Sequence, residues 1–327
     1  MKFLDLFAGI GGFRLGLEQA GHECVGFCEI DKFARQSYKA IHNTEGEREY
    51  HDITTVSNEE WRTLRGTVEL ICGGFPCQAF SIAGKRKGFL DETRGTLFFE
   101  IARAAEQIKP RTLFLENVRG LLSHDKGRTF RTIISTLDEL GYDAEWQILN
   151  SKNFGVPQNR ERVFIIGHLR GERGREVFPI TRENRGRVGK QVAQTLDTSC
   201  NQAVIVQKPR GYNKGGEHEV APTLSSNSWH ENNLLKLGGL YTNASENHQR
   251  GVLPGLSRTL KSQNHDAGIF DGIRIRKLTP RECWRLQGFP DWAFDKAQEV
   301  NSNSQLYKQA GNSVTVPVIY EIARRFE

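Results

Sequence analysis

The chain has 327 residues, 37% hydrophobic and 26% charged, with 33 glycines and a formal net charge of +6. That length and apolar content support a large core with a smaller partner, and exclude both a minimal domain and a disordered chain. No run of 18 consecutive apolar residues occurs, and the opening MKFLDLFAGIGGF lacks a charged region followed by a long apolar stretch, so neither a membrane span nor a secretory leader is expected.

Six cysteines (Cys24, Cys28, Cys72, Cys77, Cys200 and Cys283) form no C-x-x-C pair and no cluster with zinc-ligand spacing. A disulfide framework and a metal site are therefore not expected, and a reducing cytoplasmic setting is. Charge is distributed unevenly: residues 151–280 hold 20 Lys or Arg against 11 Asp or Glu, while the rest of the chain is net acidic. Such a segment is either a solvated basic face or the footprint of a polyanion such as nucleic acid.

In chain order, KFLDLF, CVGFCEI, VELICGG, RTLFLEN, AEWQIL and RVFIIGH read as strands. Between them, FFEIARAAEQI and TFRTIISTLDEL place apolar residues at i, i+3 and i+4, the helical spacing. The alternation predicts a doubly wound, Rossmann-like α/β sheet, in which ligands sit beyond the carboxyl ends of strands. From about residue 181 the chain turns to Gly, Asn, Ser and Thr with short β-like runs, as expected of a smaller, loop-rich, mostly β domain. Three segments there echo one another: VAQTLDTSCNQAVIV (192–206), VAPTLSSNSWHENNLL (220–235) and LSRTLKSQNHDAGIF (256–270). Helical signals return at Thr279, Pro280 and Glu282, a capping box with proline in the first turn, and a last helix is expected from about Val314 to Phe326. The expected division is 1–180 plus 305–327 for one domain and 181–304 for the other.

Several residues just past strand ends have the chemistry of a site. DLFAGIGGF runs from a strand through a Gly-rich turn into a helix start, where unsatisfied N–H groups face a ligand, but it is not the G-x-G-x-x-G dinucleotide fingerprint. Glu29 follows about 20 residues later at the next strand end, a place suited to ribose hydroxyls. Asp52 is placed to meet an adenine amino group. Cys77 comes after a strand and a Gly-Gly-Phe-Pro turn, where a thiolate is a candidate nucleophile. Glu116 ends a further strand, where a buried carboxyl is a candidate proton donor. Arg160 and Arg162, two apart, share a strand face and are suited to orient a carboxylate or hold a base oxygen.

DLFAGIGGF, GFPCQAFS, LENV, QNRERVF, RECWRLQGFP and YKQAGNSV, in this order, resemble the motif set of the DNA (cytosine-5) methyltransferases of the bacterial and phage restriction-modification type. The resemblance covers residues 1–167 and 274–327, and residues 181–273 fall where that family carries its target-recognition segment. It implies methylation of carbon 5 of cytosine in double-stranded DNA from S-adenosyl-L-methionine, with the base flipped from the duplex. It further implies Cys77 as nucleophile, Glu116 at N3 of the base, and Arg160 and Arg162 beside them. Phe7, Gly9, Ile10, Gly12, Glu29, Ile30, Asp52, Ile53, Pro76, Leu97, Asn312, Ser313 and Val314 match the family's cofactor positions. Ile30 stands where some relatives carry an aromatic residue. Gln78, Ser81, Lys85, Arg86, Lys87 and Arg94 match a mobile loop over the DNA. Thr259 and Leu260, nearest to RKLTPREC, match the recognition Thr-Leu. A monomer acting beside a separately encoded restriction endonuclease is the implied setting. Three other readings remain at this point: an RNA-directed relative, a non-catalytic DNA-binding protein on the same scaffold, and a nicotinamide oxidoreductase, against which the glycine pattern argues.

Overall fold

The computed structural model describes residues 1–76, 97–172, 176–180, 204–207, 216–218, 221–222, 233–237 and 274–326, the short segments between 204 and 237 and residues 274–277 by their backbone alone. A seven-stranded sheet forms the centre. Its parallel part is β1 (Lys2–Leu6), β2 (Glu23–Cys28), β3 (Arg48–Tyr50), β4 (Leu70–Gly74) and β5 (Thr112–Val118). β6 (Tyr142–Asn150), the two-residue β7 (Gln158–Asn159) and β8 (Glu161–Leu169) follow. The order across the sheet is β3-β2-β1-β4-β5-β8-β6, with β8 inserted antiparallel between β5 and β6.

Strand alternation divides the core into two layers. Leu4, Leu6, Ile71, Leu113, Leu115, Val163 and Ile165 face one side, where they meet α3 (Asn58–Arg62), α4 (Leu97–Ile108) and α5 (Arg128–Glu139). Phe3, Leu70, Cys72, Phe114, Phe164 and Ile166 face the other, against α1 (Gly12–Gln19) and the C-terminal helix. Phe114 is fully buried between Phe13 and Phe326, both edge-on at 5.0 and 5.4 Å. Burial of one such side chain contributes roughly 1.5–3 kcal/mol. The doubly wound architecture read from the sequence is present, with the mixed strand directions as its added feature. β3, three residues of Arg-Glu-Tyr at the sheet edge, was not anticipated, because so short a polar run has no apolar periodicity.

The C-terminal segment is more helical than expected. α6 (Pro280–Leu286) starts at the anticipated capping box: Glu282 N–H donates to Thr279 Oγ1 at 3.2 Å, and Thr279 N–H donates to Glu282 Oε2 at 2.7 Å. α7 (Asp291–Val300), α8 (Asn303–Asn312) and α9 (Val316–Ala323) follow, so the single helix expected from Val314 is α9 alone. Trp284, Phe289 and Phe294 build a third apolar cluster with Ile10 and Leu15 of the first turn and helix and with Ile41 of α2 (Lys32–Ile41). Trp284 also donates its indole N–H to the Leu306 carbonyl at 2.8 Å. This packing fixes residues 278–312 against the first third of the chain.

A second sheet has the order β10-β9-β12-β13, from β9 (Val204–Gln207), β10 (Gly216–His218), β12 (Asn233–Leu237) and β13 (Arg274–Lys277). The apolar runs that close the first two Thr-Leu echoes are β9 and β12, and they pair antiparallel, Leu234 with Val206 and Leu235 with Ile205. β11 (Ala221–Pro222), in the second echo, pairs instead with β7, Ala221 opposite Gln158. The third echo lies outside the described residues.

One carboxyl in the core lacks a full counter-charge. Asp5 on β1 is wholly buried, and accepts only long contacts from the Cys72 thiol at 3.6 Å and the Tyr38 hydroxyl at 3.4 Å. The nearest cation, Arg14, is held by Glu18 and Glu47. Burial therefore pushes the Asp5 carboxyl up to about 8. A folded value above the unfolded one means that its favourable contribution is complete below about pH 4 and is lost as pH rises through about 8. Asp5→Asn should therefore be less stable or equal at pH 5 yet gain on the wild type by pH 8. Urea midpoints at the two pH values check this, and parallel curves would refute the neutral carboxyl.

Candidate active site

The carboxyl ends of β1, β2, β4 and β5 open on one cleft of about 520 Å³, closed on its far side by the β7–β8 junction and the α8–α9 connection. Phe7, Gly9 and Ile10 come from the turn after β1. This turn is strained: Phe7 has φ 55°, a left-handed value that costs a non-glycine residue about 1 kcal/mol. Gly11, at φ 84°, has His42 where a Cβ would stand, so only glycine fits.

Glu29, one residue past β2, turns its carboxylate back onto this turn. Its Oε2 accepts from Gly9 N–H at 2.8 Å and its Oε1 from Asp31 N–H at 2.7 Å. Burial raises its pKa, and those two N–H groups with Arg35 counter the shift. Each oxygen keeps a lone pair for a hydroxyl partner. Asp31 caps α2 through Phe33 and Ala34 N–H and forms an ion pair with Lys308 of α8 at 2.7 Å, which closes the cleft's rim.

Glu116, Asn117 and Val118 end β5 at the cleft. Glu116 is 8% exposed, with Arg162 Nε 3.0 Å from its Oε1. Asn117 donates from Nδ2 to the Phe75 carbonyl at 2.9 Å and so fixes the segment that ends at Pro76. Arg160, 3% exposed, donates to the Ser313 carbonyl at 2.7 Å and the Gly311 carbonyl at 3.5 Å. Burial and the neighbouring Arg162 lower its guanidinium to about 9, which leaves it cationic at neutral pH. The two arginines thus share a face as the sequence implied but do different work, one orienting a carboxylate and the other propping the wall.

Ten of the sequence-derived residues line the cleft: Phe7, Gly9, Ile10, Glu29, Pro76, Glu116, Arg160, Arg162, Asn312 and Ser313. Six stand outside that lining. Gly12 abuts Ser313 and Val314 from behind. Asp52 and Ile53 begin a short turn that Asp52 caps by accepting from Thr54 N–H, and Leu97 packs against the first core layer. Ile30 is 68% exposed at the rim. Cys77, Gln78, Ser81, Lys85, Arg86, Lys87, Arg94, Thr259 and Leu260 lie outside the described residues. Asp31, Lys308, Gln309 and Gly311 line the cleft without having been singled out. For Asp31 the signal was its place as helix cap, and for the others their membership of YKQAGNSV.

A C-5 cytosine-specific DNA methylase model matches residues 1–327. The chain belongs to that family. It is similar to the type II methyltransferases M1.ScrFI of Lactococcus lactis subsp. cremoris, at 38% identity over 99% of this chain and 77% of that protein, and M.HhaI of Haemophilus parahaemolyticus, at 35% over 99% and 93%. M.HpaII of Haemophilus parainfluenzae is 37% identical over 99% of this chain and 88% of its own length. In fold, the S. pombe Dnmt2 methyltransferase has a TM-score of 0.61 at 20% identity, covering 99% of this chain and 97% of that one. The methylase is thus a DNA (cytosine-5) methyltransferase that uses S-adenosylmethionine. The cleft fits that group: its volume is in the range of small-molecule sites, Gly9 leaves open space at its turn, and the Glu29 carboxylate stands at a strand end with lone pairs to spare. Among the described residues, no helix is long and apolar enough to cross a membrane.

Gly12 gives a test of the wall. A methyl group there would stand 2.7 Å from Ser313 Oγ, 2.8 Å from Val314 Cγ2 and 3.2 Å from the Val314 carbonyl oxygen, so the Ser313 and Val314 side chains must be displaced. Gly12→Ala should weaken S-adenosylmethionine binding by about tenfold or more in calorimetric titration, consistent with roughly 1–3 kcal/mol of overpacking. Unchanged affinity would show that the wall at Ser313 is not part of the cofactor site.

Proposed function

We propose that this enzyme methylates cytosine within a short sequence in double-stranded DNA, with Cys77 as nucleophile and Glu116, Arg162 and Arg160 as the residues around the flipped base. The observation that carries the reading is the meeting of Pro76, directly before Cys77 in the chain, with the Glu116–Arg162 ion pair and Glu29 at one cleft. The four described cysteines offer no thiolate at neutral pH. Burial pushes Cys24 and Cys28 up to about 12, and Cys72 and Cys283 well above their ordinary value.

In this reading the Cys77 thiolate adds to carbon 6 of the cytosine. Glu116, oriented by Arg162, holds a proton at N3, so the electron pair displaced from the C5–C6 double bond makes carbon 5 nucleophilic. S-adenosylmethionine, when bound, supplies an electrophilic methyl group. Loss of the carbon 5 proton then lets the thiolate leave and restores the ring. Phe7, Gly9, Ile10 and Glu29 hold the adenosine side, with Asn312 and Ser313 on the opposite wall. Asp52, Ile53 and Leu97, outside the lining of the cleft, are assigned to the adenine end by the family motifs alone. Arg160 sets the wall between the two substrates.

The basic segment 181–273 reads the sequence, with Lys85, Arg86, Lys87 and Arg94 contacting phosphates. Pairing of β11 with β7 supports a recognition segment docked beside Arg160. The packing of α6–α8 on Ile10, Leu15 and Ile41 favours ending the recognition domain near Leu278, earlier than residue 304. A cytoplasmic monomer, paired with a separately encoded endonuclease, fits the type II relatives.

Transfer of labelled methyl from S-adenosylmethionine to duplex DNA and to tRNA tests this. Label should enter DNA, and Cys77→Ser should reduce the rate at least about 10³-fold, as expected when a covalent nucleophile is lost. Label in tRNA alone would overturn the substrate, and full activity of Cys77→Ser would overturn the nucleophile.

A further inference from the structure

Behind the cleft wall runs a line of buried polar side chains that takes no direct part in the reaction. Gln287, at the end of α6, is fully buried, and Ser151 and Thr315 are each 3% exposed. Gln287 Nε2 donates to the Ala310 carbonyl at 2.8 Å. Only the amide nitrogen can serve a carbonyl, so Oε1 faces Thr315, whose hydroxyl donates to it at 3.0 Å. Thr315 has then used its one proton. The 2.8 Å contact between the two hydroxyls is therefore donated by Ser151, whose Oγ also stands 3.3 Å from the Arg160 carbonyl, a second acceptor for the same proton. Ser151 N–H in turn donates to the Arg160 carbonyl at 3.0 Å, and the Arg160 guanidinium returns to the Ser313 and Gly311 carbonyls.

These bonds close a circuit through four separate stretches of sequence, at 151, 160, 287 and 310–315. Inside it lies the connection that carries Gly311, Asn312 and Ser313 into the cleft. Gln287 holds this connection at Ala310 on one end and at Thr315 on the other, and its own carbonyl accepts from Val316 N–H at 2.9 Å. At Gln287 each bond has one direction, while the Ser151 proton has the Arg160 carbonyl as a second acceptor, so a displaced connection leaves the buried Gln287 amide unpaired. An apolar filling of equal volume would bury the same area without fixing that arrangement.

We propose that Thr315 and Gln287 are positioning residues that set the cofactor wall of the cleft in register with Arg160. This rests on the assignment of the cleft to S-adenosylmethionine. Thr315→Val keeps the side-chain shape and removes the only donor to Gln287 Oε1 among the described residues, while Thr315→Ser keeps the hydroxyl. Thr136→Val makes the same change at a buried hydroxyl on α5, which bonds only within its helix, to the Thr132 carbonyl at 2.9 Å.

Calorimetric titration with S-adenosylmethionine, on protein whose melting has been measured, separates positioning from plain stability. Thr315→Val should raise the dissociation constant about tenfold, the consequence of one unsatisfied buried acceptor, with Thr315→Ser and Thr136→Val within about twofold of wild type. A Thr315→Val protein that melts earlier but binds within twofold of wild type, while Glu29→Gln binds weakly, would overturn the positioning role and leave the cleft assignment standing. Unchanged binding in both Thr315→Val and Glu29→Gln would overturn the two together. If Thr315→Val does not fold, Ser151→Ala removes only the first donor of the line. A rise of about threefold or more is then expected, and no rise overturns the proposal.

Discussion

A buried guanidinium has to find acceptors, and the structure of this methyltransferase turns on where Arg160 finds them. Its partners are carbonyls at Gly311 and Ser313, about 150 residues away in the chain. Leaving such a charge unpaired in the interior would cost several kcal/mol, so the α8–α9 connection must close against the start of β8. That closure brings the last fifty residues to the ends of the first strands. Trp284, Phe289 and Phe294 then fill the space over Ile10, Leu15 and Ile41, and hydrophobic burial holds what the arginine orients.

The sheet divides structural from chemical duty by position along each strand. Middles of strands alternate between two apolar layers, while their carboxyl ends carry Phe7, Glu29, Pro76 and Glu116 into the cleft. The two carboxylates there live in different surroundings. Glu29 is held by backbone N–H groups, which leave it an acceptor, and Glu116 by the Arg162 cation, which fixes its orientation. In the proposed function the first serves the cofactor and the second the substrate.

Much of this was legible in the sequence because it is local. Apolar runs such as KFLDLF and RTLFLEN mark strands, and the residue after each run is at the sheet edge by construction. The capping box at Thr279 was readable for the same reason. Strand direction was not, since an apolar run such as RVFIIGH looks alike parallel or antiparallel, and β8 proved antiparallel. Nor were the long-range polar contacts. Nothing in the letters around Gln287 says that its amide meets Thr315, or that Asp31 pairs with Lys308. Of the three Thr-Leu echoes, the apolar runs that close two are neighbouring strands of one sheet, and the third lies outside the described residues.

The central claim is that one cleft holds both the methyl donor and the flipped base, on walls that Arg160 joins. Hydrogen exchange measured amide by amide tests it most directly. It would be followed first with S-adenosylmethionine alone, and then with a duplex carrying 5-fluorocytosine, whose carbon–fluorine bond blocks proton loss and traps the adduct. The account predicts that the cofactor alone slows exchange at Gly9, Ile10 and Gly311–Ser313, and that the trapped duplex adds protection at Glu116–Val118. Protection by the cofactor at a site away from the β1 and β2 ends, or trapped DNA that leaves Glu116–Val118 unchanged, would contradict it.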